Sequence, residues 1–155
     1  MTWTNADGLE VLMHGEQGEV KTNGTTVTSV TNQLVYEIAD ATLLGTAAVD
    51  PKANDSFIPA GAYITKAYLI VETAFTSAGL ATLTLGTQTS AGADIDADGI
   101  DAAVATAALA ANKAVVADGA LVAGVDTVGA ANAYLGATAA GTYTAGKVKV
   151  VIDYV

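Results

Sequence analysis

The stretch Ala62–Thr73, AYITKAYLIVET, decides the fold. It is rich in the β-branched and aromatic residues that fit a pleated surface, and it follows the turn signal Pro59-Ala60-Gly61. Apolar residues occupy both of its parities, which predicts an interior strand covered on both faces for part of its length. Downstream, Leu80–Gly86 (LATLTLG) alternates Leu83 and Leu85 against Thr82 and Thr84. Upstream, from Val27 onward, Val30, Leu34, Tyr36 and Ile38 share one parity against Ser29, Thr31, Gln33 and Glu37; Asn32 and Val35 break the pattern. The last strand runs from Lys147 to Val155, with Val148, Val150, Ile152 and Tyr154 facing in and Lys147, Lys149 and Asp153 facing out. Pro51, Asn54 and Asp55 mark a loop between the pattern that ends at Ile38 and the one that begins at Ala62.

One segment departs from period two. Asp98–Ala111 is alanine-rich, and Ile100, Val104, Ala107, Ala108 and Ala111 fall on one helical face. A short helix is expected there, with Asp98 as its N-cap, Asp101 in its first turn and Asn112 as a left-handed terminator. Beyond it, Ala114–Val116 and Ala120–Val122 flank Asp118-Gly119, a hairpin signal. Residues 124–145 are small and turn-rich, with one strand expected around Tyr134. Many short strands, one brief helix and no βαβ alternation predict an all-β chain, an antiparallel β-sandwich or jelly roll.

Residues 1–25 read as an N-terminal arm before a domain over 26–155. Asp7-Gly8, His14-Gly15, Gln17-Gly18 and Asn23-Gly24 are turn-prone dipeptides too closely spaced for long strands. Leu9, Val11 and Met13 share a parity that allows one short strand at most. Trp3, the single tryptophan, either pins the arm to the body or inserts into a neighbouring subunit.

Composition excludes several function classes. The 155 residues carry sixteen carboxylates against six lysines and no arginine, a net charge of −10. Nucleic acid and anionic membrane surfaces both need the cations that this chain lacks. There is no cysteine, hence no disulfide and no thiolate metal site. The N-terminus has neither a basic region nor an apolar core, so no secretory signal is expected. The most apolar stretch, 102–111, spans about ten residues where a membrane helix needs roughly 20. A chain made in the cytoplasm that stays soluble is the expectation.

Few residues offer chemistry. Asp94-Ile95-Asp96-Ala97-Asp98-Gly99 places oxygens at positions one, three and five of a calcium loop and glycine at six. Position twelve is Ala105 in place of a bidentate glutamate, and a polar loop leading into a capped helix explains the same residues. Asp94, Asp96 and Asp98 are the calcium candidates. His14 stands alone, none of Ser29, Ser56, Ser77 and Ser90 lies in a nucleophile elbow, and no phosphate-binding glycine loop follows a strand. No catalytic residue and no cofactor are expected, and the chain does not read as an enzyme. Tyr36 and Tyr154 fall on inward parities and read as core filler before sugar-stacking platforms.

Several stretches together resemble the capsid decoration, or cement, proteins of tailed bacteriophages. Trp3–Leu9 (WTNADGL) is similar to their opening, Ile58–Ile64 (IPAGAYI) with Thr73-Ala74-Phe75 to their central strand, Asp96–Ala103 to their acidic segment, and Ala145–Val150 to their last strand. The resemblance implies a jelly-roll or sandwich fold, a homotrimer, and a place on the capsid exterior in contact with the major capsid protein. Trp3, Asp7 and Leu9 are then the candidates for capsid or subunit contact. The arm holds only Lys21 as a cation, whereas such relatives carry a more basic one. The alternative is a head-fibre or tail-fibre domain that binds a host-surface glycan.

Overall fold

Antiparallel pairing links every strand of the computed structural model, which describes residues 2–4, 10–12, 19–22 and 25–28 as backbone and 32–44, 56–122 and 126–155 in full. The chain divides into two units, Met1–Thr31 and Asn32–Val155. In the first, β1 (Thr2–Thr4) pairs with β2 (Glu10–Leu12), and β3 (Glu19–Thr22) pairs with β4 (Thr25–Thr28). Both β2 and β3 lie where the turn dipeptides left room for one strand at most. Strands of three and four residues fit between closely spaced turns when each needs only one partner.

The second unit is a two-sheet sandwich, as the alternation of its strands predicts. Its strands are β5 (Asn32–Ile38), β6 (Ile64–Ser77), β7 (Thr82–Gln88), β8 (Asp94–Ala105), β9 (Lys113–Val116), β10 (Tyr134–Ala140) and β11 (Tyr143–Tyr154). They form a four-stranded sheet in the order β5-β11-β6-β9 and a three-stranded sheet in the order β10-β7-β8. Leu34, Leu69, Val71, Val148, Val150 and Ile152 of the first sheet join Leu83, Leu85, Ile100 and Leu135 of the second in one buried core. Each fully buried leucine there stabilises the fold by roughly 1.5–3 kcal/mol. Tyr36 and Tyr154 pack against that core, as their parity predicts.

At one end of the sandwich, Phe75 and Tyr143 meet edge to face with centroids 5.0 Å apart. Gly146 has φ +150°, and a Cβ there would come within 2.7 Å of the Phe75 ring and 2.9 Å of Ala41. Glycine is what lets the short 3-10 turn Ala41–Leu43 settle onto β11.

Three further expectations need correction. The predicted helix over Asp98–Ala111 is instead the second half of β8 followed by a single 3-10 turn, Thr106–Ala108. Alanine's helical preference is a fraction of a kcal/mol per residue, and pairing with β7 while burying Ile100 and Val104 outweighs it. Asp98 and Asp101 are therefore strand residues and not caps. Asn112 does adopt the left-handed conformation, at φ +60°, but it leads into β9.

The Asp118-Gly119 hairpin does not form either. β9 pairs with β6, and the segment beyond it bonds to β8 through Gly119 N–H to Ile100 O (2.9 Å) and Leu121 N–H to Gly99 O (2.8 Å). Finally, β6 is interior to its sheet but covered on one face only. Ala67, Leu69 and Val71 are buried, while Tyr68 is half-buried and Ile70 is 39% exposed on the other side.

Candidate functional site

The acidic run lies along β8, whose twelve residues face only seven of β7. The surplus is taken up in bulges. One of them, between Val104 and Asp101, holds Ala103 at φ +53° with its N–H directed to Thr84 Oγ1 at 3.3 Å. Asp94 and Asp98 are exposed and Asp96 is half-buried. Among the described residues, no three histidine, cysteine or carboxylate side chains gather as a metal site would require. Of the contact candidates, Trp3 lies in β1 opposite Val11, while Asp7 and Leu9 fall outside the described residues, as does His14.

Asp101 is the unusual carboxylate. It sits opposite Leu85 and is 5% exposed. Burial, then the charge of Asp118, push it up to about 6, against a hydrogen bond from Ala102 N–H that favours the ionised form. Three glycines make the crowding possible: a Cβ on Gly86 would lie 2.2 Å from Asp96 O, one on Gly99 2.5 Å from Asp96 Oδ2, and one on Gly119 2.4 Å from Gly99 O. No sequence pattern flagged Asp101 as buried, because its strand register depends on bulges that alternation does not encode.

Charge is sorted between the two sheets. The three-stranded sheet carries Asp94, Asp96, Asp98 and Asp101 and no cation. All four lysines of the fully described residues, Lys66, Lys113, Lys147 and Lys149, belong to the four-stranded sheet. On that sheet's outer face Lys147 reaches Glu37 at 2.8 Å and Glu72 at 2.9 Å, and Lys149 reaches Glu72 at 2.5 Å. The Glu37 and Glu72 carboxylates hold Lys147 above the usual ammonium range, and Lys149 and Lys147 hold Glu72 below the usual carboxylate range.

Next to this network, Val35, Val151, Tyr68 and Val116 form one cross-strand row spanning all four strands. Val35 is 51% exposed and Val116 69% exposed. The sequence did carry a signal for this row: Val35 breaks the alternation of β5, and Tyr68 belongs to the two-sided apolar pattern of β6. Residues of this kind offer a flat surface for binding and no nucleophile, acid–base pair or metal cradle.

The class that the geometry defines is one of fold: an antiparallel two-sheet β-sandwich. No protein-family model and no curated protein sequence matches the chain. Solved structures do match it. One is a chain of the capsid asymmetric unit of cyanophage Pam1, with a TM-score of 0.61, 19% identity, and coverage of 92% of this chain and 96% of that one. Another is a chain of the capsid of Ralstonia phage GP4, with a TM-score of 0.56, 18% identity, and coverage of 91% and 92%. The likeness is one of fold, and it runs nearly end to end in both chains of each pair.

Proposed function

We propose that this chain is a structural virion protein that binds the outer surface of a phage capsid and stabilises it, as a homotrimer seated on the major capsid protein. The observation that carries the reading is the fold likeness over 92% of the chain to a chain of the Pam1 capsid. The resemblance of Trp3–Leu9, Ile58–Ile64 and Ala145–Val150 to decoration proteins supports the same role. Such a protein works by mass action: it binds the assembled lattice and not the free subunits, so occupancy shifts the shell toward the assembled state. It needs surfaces and no reactive centre. The acidic body favours approach to a basic shell patch, and the N-terminal arm with Trp3, Asp7 and Leu9 supplies short-range contacts.

Electron microscopy of particles with and without this chain tests the proposal. An even lattice of added density over the head is expected. A few copies confined to the tail or vertices would favour the fibre reading, and absence from purified particles would end both. Deleting residues 1–25 should leave the sandwich folded and reduce occupancy on particles; normal occupancy of the truncated chain refutes the role of the arm.

A further inference from the structure

The outer face of the four-stranded sheet differs from the rest of this acidic molecule. Its charges are Lys66, Lys147 and Lys149 against Glu37, Glu72 and Asp153, three of each sign in a chain whose net charge is −10. Between the charges run the apolar row Val35–Val151–Tyr68–Val116 and the neighbouring Ile70 and Ala114. Val151, at the centre of that row, is 4% exposed and lies outside the main core cluster.

The order of the charges along the strands is antisymmetric. On β6, Lys66 and Glu72 lie the same number of residues on either side of Leu69; on β11, Asp153 and Lys147 lie the same number on either side of Val150, with a register shift next to Lys147. Val150 and Leu69 are themselves register partners. A two-fold axis lying in the face and crossing the strands at that pair therefore sets Lys66 over the Glu72 of a second copy and Asp153 over its Lys147. The same rotation sets Tyr68 over Ile70 and Val116 over Ala114, and it lays Val151 on Lys149 and Val35 on Glu37.

We propose that this face is an isologous contact between two copies of the chain. Two molecules of charge −10 repel wherever their surfaces share the excess, and this is a face on which that excess is absent. A two-fold contact requires the same patch to complement itself; Lys66 with Glu72 and Asp153 with Lys147 do so across the axis, while Glu37 and Lys149 keep their partners Lys147 and Glu72 within each copy. Strand spacing and rise give the sheet a footprint of roughly 600 Å² per partner. That is below the roughly 800 Å² of a standard interface, so the association belongs with the small, transient class. The inference stands whether or not the chain sits on a capsid.

Sedimentation equilibrium of the full chain at about 0.15 M ionic strength tests it, with thermal melts to verify that each variant is folded. The mass should rise with concentration toward twice that of the smallest species. Lys66→Glu takes the net charge from −10 to −12 and Glu72→Lys takes it to −8. General repulsion would make the second variant associate more tightly, whereas paired contacts make both weaker, by about tenfold. The double variant K66E/E72K keeps the charge of the parent and should return to within about threefold of it. Residues 66 and 72 lie roughly 20 Å apart on their own strand, so that rescue can come only from between copies.

Val116→Glu, at an exposed edge position, should also weaken doubling at least tenfold and does not depend on the Glu72 network. The proposal fails if the parent shows no doubling, if E72K associates as well as the parent, if the double variant stays as weak as the single ones, or if V116E leaves the mass curve unchanged.

Discussion

Asp101 couples the fold to pH through one side chain. In the folded chain it titrates near 6, and in the unfolded chain near 3.8, so the native state holds the extra proton between those values. Its favourable contribution is complete below about 3.8 and is lost as pH rises through about 6. Asp101→Asn removes the charge and keeps the shape. It should raise stability at pH 7 by about 1–2 kcal/mol and flatten the pH dependence between 4 and 6, read from urea unfolding across pH. An unchanged slope would mean that Asp101 is solvated. Gly86 acts at the same scale. A methyl group there would lie 2.2 Å from the Asp96 carbonyl and 2.3 Å from the Ala97 carbonyl, both backbone atoms of a neighbouring strand. Gly86→Ala should cost about 3 kcal/mol or more, measured by the same unfolding, because neither strand can yield without breaking its ladder.

At the scale of elements, β5, β7 and β11 were legible because each shows one parity to the core, and Leu34, Leu83, Leu85, Val148, Val150 and Ile152 are buried as that parity demands; for β10 only a strand near Tyr134 was expected. β8 was not legible. Its alanines carry a helical preference, and the partner that overrides it, β7, supplies backbone hydrogen bonds that no local pattern announces. The Asp118-Gly119 turn failed for a related reason. Its glycine serves close approach of two backbones, Gly119 against Gly99, instead of a hairpin reversal. For β6, apolar residues on both parities read as cover on both faces, yet Tyr68 and Ile70 are only partly covered within the chain. The candidate sites were less legible than the fold. The acidic run was visible, but spacing alone did not reveal that it lies along a bulged strand with a buried carboxylate at Asp101.

For the whole molecule, the charge of −10 governs encounters more than fold. If the acidic body is steered onto a basic shell, the association rate with undecorated particles should fall by about tenfold between roughly 0.05 M and 0.5 M salt, as the screening length shrinks to a few ångströms. Stopped-flow light scattering would read that rate, and a salt-independent rate would assign docking to apolar contact alone. The sorting of charge between the two sheets has a further effect. Within Asn32–Val155, lysines occur on one sheet of the sandwich and aspartates are the only charged residues on the other, so the two walls carry opposite tendencies of charge. If the chain docks on a cationic lattice, that asymmetry would exert a torque turning the aspartate wall downward before any atoms touch, and orientation on landing would be selected in flight.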